Sequence, residues 1–261
     1  MTEALLNGLH AIVTGGGRGI GAAIAERLAQ NGANVSLLGR TLDQLQATAQ
    51  SIRQQFDQEV LPVTADVTDP EQIRAAFEQC RKELGDAQIL INNAGAVQSS
   101  PLVKTELSLW DNMMAVNLRS SYLCIREVLP GMIKAGYGRI VNVASTAGLT
   151  GFPYVAAYCA AKHGVIGLTR ALALETAHQG ITVNAVCPGY VETDLLKNAV
   201  NNITEKTGRE TENVREELLK NIPLGRFIQP HEVASATVWL CQKEQSGITG
   251  QTITLAGGEV V

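Results

Sequence analysis

Residues 14–21 read T-G-G-G-R-G-I-G and stand between two segments of different hydrophobic pattern. The segment before them, 11–13, is a short apolar run that fits a buried strand. The segment after them, 22–31, has apolar residues at helical spacing and ends at Gly32. Glycines at such a junction let the backbone turn tightly, and the N-terminus of the next helix favours a negative charge. The spacing of Gly15, Gly19 and Gly21 therefore predicts a pyrophosphate cradle, with a simple glycine turn as the alternative.

The rest of the chain continues the alternation of strand and helix. Further strands are expected at 35–38, 60–63, 88–91, 140–143, 182–186 and 252–255. Further helices are expected at 42–55, 70–84, 107–134, 156–178 and 231–241. This order predicts an α/β fold with a doubly wound parallel sheet, the Rossmann fold, and helices on both faces. We expect one domain over 1–261, interrupted by a polar excursion at 195–221.

Composition excludes several classes of function. The 261 residues carry a net charge of −4 and no basic block, so nucleic-acid binding has no electrostatic support. The five cysteines are widely spaced and none pairs at metal-ligand spacing, which predicts free thiols in a reducing compartment and no metal site. The first residues do not resemble a secretory signal, and no apolar run is long enough for a membrane span. We therefore expect a soluble, cytoplasmic protein with no membrane partner.

Small and polar residues follow three further strands, at the edge of the sheet where such folds bind ligands. Asp66 and Val67 follow the third strand; the carboxylate can accept from an exocyclic amine, or it can cap the next helix. N-N-A-G at 92–95 follows the fourth strand, and its Asn side chains can tie neighbouring strand ends together even without a ligand. P-G-Y-V-E-T at 188–193 follows the sixth strand, and its Thr193 could reach the amide of a nicotinamide.

The stretch Y-C-A-A-K at 158–162 places a phenol and an ammonium one helical turn apart. If the stretch is helical, Tyr158 and Lys162 share one face. Taken alone, the pair has a simpler interpretation, in which Tyr158 packs and Lys162 is a solvated surface residue.

Together these motifs resemble those of the short-chain dehydrogenase/reductase family over essentially the whole chain. The motifs occur in the order typical of the family: T-G-x-x-x-G-I-G, N-N-A-G, a Ser, Y-x-x-x-K and P-G. Ser145 lies thirteen residues before Tyr158, and Asn117 lies twenty-eight residues before Ser145, which are spacings that the family shows. The resemblance implies that Tyr158 exchanges a proton with the substrate oxygen, and that Lys162 lowers the pKa of Tyr158 and holds the nicotinamide ribose. It also implies that Ser145 hydrogen-bonds the substrate oxygen and that Asn117 fixes a water linked to Lys162.

The same resemblance assigns residues to a nicotinamide dinucleotide. They lie in the cradle, in the turns after the second, third, fourth and sixth strands, and in the Tyr–Lys helix: Thr14, Gly15, Arg18, Gly19, Ile20, Gly21, Arg40, Thr41, Asp66, Val67, Asn93, Ala94, Gly95, Tyr158, Lys162, Pro188, Gly189, Val191 and Thr193.

The end of the second strand favours NADP(H) over NAD(H). A carboxylate there would accept from both adenosine ribose hydroxyls and repel a 2′-phosphate, but the chain has Gly39. Arg40 follows and can pair with the phosphate, with Arg18 as a second positive charge and Thr41 as a further donor. The alternative is that Arg40 is a solvated loop residue.

The substrate is expected to be a ketone or secondary alcohol with hydrophobic substituents. Residues 146–157 contain no charged side chain, and by resemblance this loop borders the substrate cleft. The C-terminal half resembles polyketide-type ketoreductases, 3-oxoacyl reductases and β-hydroxybutyrate dehydrogenases. The loop lacks a lysine that would hold a small carboxylate, which argues against free hydroxybutyrate, whereas a 3-oxoacyl thioester stays open. Alternatives are an NAD-dependent hydroxyacyl or hydroxy-acid dehydrogenase, a lyase or epimerase on the same fold, and a catalytically idle binding homologue.

Two further expectations concern larger parts of the molecule. The polar segment at about 194–222 is predicted to be a mobile lid over the substrate; its basic residues could meet carrier phosphates or could simply be solvated. The long helices near 107–134 and 156–178 are apolar beyond one face, and T-I-T-L-A-G-G near the C-terminus resembles a family packing segment. These features predict a homotetramer.

Overall fold

The computed structural model describes residues 5–260 of the chain. Over these residues, seven parallel strands form one sheet in the order β3-β2-β1-β4-β5-β6-β7. The strands are β1 (His10–Thr14), β2 (Asn34–Gly39), β3 (Val60–Thr64), β4 (Ile89–Asn92), β5 (Gly138–Val143), β6 (Ile181–Pro188) and β7 (Thr252–Leu255). The predicted parallel, doubly wound sheet is confirmed.

Helices cover both faces of this sheet. They are α1 (Gly19–Gln30), α2 (Leu42–Gln55), α3 (Pro70–Leu84), α4 (Leu107–Met114), α5 (Ser120–Ala135), α6 (Ala156–Thr176), α7 (Asp194–Thr207), α8 (Thr211–Lys220) and α9 (Pro230–Leu240). Apolar side chains of α1, α2 and α9 form the core on one face, and those of α3, α5 and α6 form the core on the other. The strands are buried on both sides, which explains why they read as continuous apolar runs.

The strand order reverses direction at β1. Its neighbours are β2 on one side and β4 on the other, and the chain leaves β1 toward β2 before returning to β4. In open sheets of this kind a crevice forms beyond the carboxyl ends of the strands at that point. The turns singled out from the sequence all meet this edge.

Two segments differ from the prediction. The helix expected at 107–134 is two α-helices joined by a π-helical segment, Ala115–Arg119, because one extra residue is accommodated in the turn that carries Asn117. The polar excursion at 195–221 is folded as α7 and α8. Leu196, Val200 and Val214 of these helices are buried in a small cluster of their own with Phe227, away from the main core.

Residues 5–260 contain neither a membrane-spanning helix nor a metal-binding cluster. None of the helices in that range is both long and apolar enough to cross a bilayer. Within the same range, no group of three His, Cys, Asp or Glu side chains is arranged to hold a metal ion.

Candidate active site

The glycine cradle is too tight for side chains. A Cβ on Gly21 would lie 2.1 Å from the carbonyl oxygen of Gly15, and a Cβ on Gly15 would lie 2.9 Å from Nδ2 of Asn93. Gly15 and Gly19 also have positive φ angles, 65° and 56°, which favour glycine. The turn therefore brings bare backbone to the N-terminus of α1, where an anion is stabilised.

Thr14 and Asn93 fix the end of β1 to the end of β4. The backbone N–H groups of Asn93 and Ala94 both donate to Oγ1 of Thr14 at 3.0 Å. In return, Nδ2 of Asn93 donates to the carbonyl oxygen of Thr14 at 2.9 Å. N-N-A-G thus ties strand ends together, the alternative role considered from the sequence, and in doing so it sets the two sides of the crevice.

The turn after β6 lies against the cradle. Cγ2 of Thr193 would be 3.4 Å from a Cβ on Gly19, and Nη1 of Arg18 is 3.8 Å from Oδ2 of Asp194. The hydroxyl of Thr193 donates to the carbonyl oxygen of Val191 at 3.2 Å. The cradle and P-G-Y-V-E-T, far apart in sequence, therefore form one continuous site with the half-buried Ile20 between sheet and cradle.

The ends of β2 and β3 form the other half of the crevice. Arg40 and Thr41 are exposed, and Thr41 begins α2 without using its hydroxyl as a cap. Oδ1 of Asp66 accepts from the N–H and the hydroxyl of Thr68, at 2.8 Å and 2.7 Å. Asp66 therefore orders its own turn, whereas Asp69 is the residue that caps α3. Val67 is buried behind this turn.

Tyr158 and Ser145 are neighbours at the carboxyl end of the sheet. Ser145 follows β5 and its Oγ accepts from the N–H of Ala147 at 3.1 Å, while Tyr158 is half-buried in the first turn of α6. Burial raises the pKa of Tyr158 to about 12, and the adjacent hydroxyl of Ser145 opposes that rise. The phenol is therefore protonated at neutral pH and can donate.

Lys162 is a buried lysine, not a solvated surface residue. Only 4% of it is exposed, and Nζ donates to the carbonyl oxygen of Val143 at 2.8 Å. Burial lowers the pKa of Lys162 to about 8. Nζ lies 5.6 Å from the ring centroid of Tyr158, so the two residues share a helical face as predicted. The resemblance implied that Lys162 lowers the pKa of Tyr158, but in the structure that pKa is raised, because burial of the phenol dominates.

Asn117 is buried in the π-helical segment with its amide fully used. Nδ2 donates to the carbonyl oxygens of Ala96 and Met113, at 2.9 Å and 3.0 Å, and Oδ1 accepts from the N–H of Ala96 at 3.2 Å. A Cβ on Gly95 would lie 2.9 Å from Oδ1 of Asn117 and 3.7 Å from Nζ of Lys162. The loop after β4, Asn117 and Lys162 are thus in one cluster, and the side chain of Asn117 positions that loop.

Most basic residues of the excursion are already paired with carboxylates. Arg215 donates to both oxygens of Glu192, at 3.3 Å and 2.8 Å, and its guanidinium lies 4.9 Å from the ring centroid of Phe227. Arg209 pairs with Glu217, and Lys197 lies 3.8 Å from Asp194. This pairing favours the structural role of these cations over contact with carrier phosphates, and Arg215 ties α8 to the turn after β6.

Two features near the crevice were not predicted from the sequence. Tyr154, in the loop before α6, has a φ of 66°, and its carbonyl oxygen accepts from the N–H of Ser100 at 2.7 Å. Glu259, in the segment after β7, has a carboxylate oxygen against Gly189. Neither could be read from the sequence, because a backbone angle has no residue signature in a non-glycine and Glu259 directly follows a segment, T-I-T-L-A-G-G, that the sequence linked only to subunit packing.

Comparison with known proteins agrees with this geometry. The sequence model described as short chain dehydrogenase matches residues 9–204. A D-beta-hydroxybutyrate dehydrogenase of Rhizobium meliloti is 39% identical over 250 residues, which cover 95% of this chain and 97% of that protein. A 3-oxoacyl-acyl-carrier-protein reductase of Vibrio cholerae is 40% identical over 253 residues, which cover 97% of this chain and 98% of that protein.

Solved structures give the same result. A crystal structure of a variant actinorhodin polyketide ketoreductase with NADPH superposes with a TM-score of 0.93 at 36% identity, covering 96% of this chain and 97% of that chain. The fold, the order of the motifs and the identity of the relatives all indicate the same family. The chain belongs to the short-chain dehydrogenase/reductase family of oxidoreductases.

Proposed function

We propose that this protein is an NADP(H)-dependent oxidoreductase that interconverts a ketone, or a 3-oxoacyl thioester, with the corresponding secondary alcohol. The observation that carries the proposal is the grouping of Ser145, Tyr158 and Lys162 beside the crevice at the β1 switch point. A protonated phenol next to a serine hydroxyl supplies two donors for one carbonyl oxygen. The five buried free cysteines support a reducing, cytoplasmic location.

The residues fit a dinucleotide in the crevice. The bare backbone of Gly15, Gly19 and Gly21 would hold the pyrophosphate, with Thr14 and Asn93 supporting that turn. Asp66 and Val67 would meet the adenine. The nicotinamide end would lie along Gly95, Lys162 and the turn formed by Pro188, Gly189, Val191 and Thr193. When bound, the reduced dinucleotide supplies the hydride that is added to the carbonyl carbon.

The protein's own part in reduction is proton transfer and orientation. Ser145 donates to the substrate oxygen and holds it at Tyr158, which gives up its proton as negative charge develops on that oxygen. The raised pKa of Tyr158 keeps the proton on the phenol until that moment. Lys162, one turn away, stabilises the phenolate that remains, and a water at the Asn117 segment would return the proton. Oxidation is the reverse.

NADP(H) is favoured because of the residues at the end of β2. Gly39 offers no carboxylate, and Arg40 is exposed with no carboxylate within ion-pair distance among residues 5–260. The unused hydroxyl of Thr41 is a further donor. One relative of known structure was crystallised with NADPH, which supports the same preference.

The relative named D-beta-hydroxybutyrate dehydrogenase favours a second candidate, the oxidation of a hydroxy acid. Against it, residues 146–157 carry no cation to receive a small carboxylate. A lyase or epimerase would be expected to fill the cradle with bulky side chains, but the contacts of Gly15 and Gly21 leave no room for them.

The experiment is NADPH oxidation with a panel of ketones and 3-oxo esters, comparing Tyr158→Phe with the wild-type protein. Loss of the proton donor should lower kcat by about a hundredfold or more while the dissociation constant for NADPH changes little. Tyr122→Phe, at an exposed tyrosine of α5, is the matched control and should retain wild-type turnover. Lys162→Ala should weaken both turnover and NADPH binding. A Tyr158→Phe enzyme within threefold of wild type would overturn the assignment of Tyr158.

A further inference from the structure

Glu259 places an unpaired carboxylate beside the crevice. The side chain is half-buried, and within residues 5–260 its fully buried Oε2 has no hydrogen-bond partner. A carboxylate oxygen taken out of water without a donor is unfavourable, and burial accordingly raises the pKa of Glu259. Such a group calls for an explanation that the dinucleotide site does not give.

The position of this carboxylate is set by the segment that follows β7. A Cβ on Gly189 would lie 2.6 Å from Oε2 of Glu259, so the carboxylate rests on the turn proposed to carry the nicotinamide end. A Cβ on Gly257 would lie 2.8 Å from Leu224, and the N–H of Leu224 donates to the carbonyl oxygen of Gly257 at 2.9 Å. Glu259 therefore lies between the turn after β6 and the base of the α7–α8 excursion.

The negative charge of Glu259 is not neutralised locally. No Lys, Arg or His lies within ion-pair distance of it among the described residues. Arg215, the residue of the excursion that pairs with the turn after β6, is committed to Glu192. Burial raises the pKa of Tyr190 on the same turn, and the charge of Glu259 adds to that rise.

We propose that Glu259 is a specificity residue that excludes free carboxylates from the substrate cleft and admits neutral 3-oxo esters or thioesters. The inference rests on the proposed function, because it names the substrate class of that same site. A like charge near Glu259 would be repelled, and residues 146–157, which are expected to border the same cleft, contain no cation to compensate. A neutral ester has no such penalty.

The test compares acetoacetate with ethyl acetoacetate, at saturating NADPH, in the wild-type protein and in Glu259→Gln. Gln keeps the shape and removes the charge. The ratio of kcat/KM for the ester to that for the acid should fall roughly fivefold or more in Glu259→Gln, mainly through a lower KM for acetoacetate. Glu244→Gln, at an exposed glutamate that follows α9, should leave the ratio as in the wild type. An unchanged ratio in Glu259→Gln would overturn the proposal.

A binding measurement separates this inference from the proposed function. Calorimetric titration of acetoacetate into the NADP⁺-saturated proteins should give a dissociation constant at least fivefold lower for Glu259→Gln than for wild type, whether or not turnover occurs. Raising the salt concentration should narrow the difference, because repulsion between partly exposed charges is screened. Equal affinities of the two proteins for acetoacetate, or no binding to either, would refute the role of Glu259. If the two affinities differ as expected but neither protein reduces a ketone, only the proposed reaction would be refuted.

Discussion

At the scale of single residues, His10 is a buried imidazole whose two ring nitrogens both have hydrogen-bond partners. Its Nδ1 lies 2.8 Å from the carbonyl oxygen of Gly85 and its Nε2 lies 2.9 Å from Oγ of Ser36. A carbonyl only accepts, so Nδ1 carries the proton and the neutral ring accepts from Ser36 at Nε2. Burial lowers the pKa of His10 below its usual value, although the Gly85 carbonyl and Asp86 act in the opposite direction.

This pKa shift predicts a pH-dependent stability. Above about pH 6.5, the usual pKa of histidine, neither state binds the extra proton and the contribution is fully present. Below that pH the unfolded chain takes up a proton that the folded protein resists, so the free energy of unfolding should decrease as the pH falls toward the lowered folded-state pKa. His10→Gln should flatten the fall between pH 7 and 5 in urea unfolding. An unaltered pH slope in that variant would contradict the prediction.

The candidate catalytic side chains show what residue spacing can and cannot predict. The spacing placed Tyr158 and Lys162 on one face of a helix, which is where α6 has them. The spacing could not predict that Lys162 is buried or that its Nζ donates to the carbonyl oxygen of Val143. That carbonyl belongs to β5, nineteen residues earlier in the chain. Nor could it reveal the left-handed backbone of Tyr154, which tertiary contacts impose on a residue that disfavours it.

At the scale of elements, the junction of β2 and α2 should decide between the two dinucleotides. One charged contact from Arg40 to a 2′-phosphate is worth roughly 1.5–3 kcal/mol, about ten- to a hundredfold in affinity. Gly39→Asp combined with Arg40→Ala should therefore swing kcat/KM from NADPH toward NADH. Arg53→Ala, on the same helix but at its far end, is the control. A wild-type protein faster with NADH, or a ratio insensitive to Arg40, would disprove the preference.

The α7–α8 pair should behave as a lid. It buries only a small cluster around Leu196, Val200 and Val214, and Arg215 is its charged link to the turn after β6. Hydrogen exchange over 194–220 should be fast in the free protein and slowed by dinucleotide plus substrate. Arg215→Ala should speed exchange further, whereas Arg209→Ala, whose partner Glu217 lies in α8, should do so less. Uniformly strong protection in the free protein would rule out a lid.

The elements that the sequence predicts least well share one property: their pattern of apolar residues is weak or irregular. Strands and core helices were predicted because their apolar pattern faces one large core. α7 and α8 were not, since their few apolar residues, Leu196, Val200 and Ile203, face a small separate cluster and are diluted by polar neighbours. The π-helical segment at Asn117 adds one residue to a turn, and the hydrophobic period is too coarse to register it.

At the scale of the whole molecule, exposed apolar side chains predict self-association. Tyr122 and Ile133 on α5 are 45% and 42% exposed, and Leu174 on α6 is 83% exposed. A homotetramer would cover the faces of these two helices. Multi-angle light scattering should give four times the chain mass of 27.8 kDa at micromolar concentration. Leu174→Glu should shift the protein to smaller species, while Val103→Glu, on the loop after β4, should not. A 27.8 kDa wild-type particle would exclude the tetramer.

The hydrogen bonds that join the end of β1 to the end of β4 have a consequence for the order in which the protein folds. The bonds from Asn93 to Thr14 join residues 79 positions apart, so they close a long loop, and we expect them to form only after the intervening strands have collapsed. During synthesis the residues of the glycine cradle emerge early. The crevice, however, should not exist until β4 has docked beside β1. We therefore expect the dinucleotide site to assemble late in folding, so that the moment at which refolding protein first binds the dinucleotide would report when β4 docks.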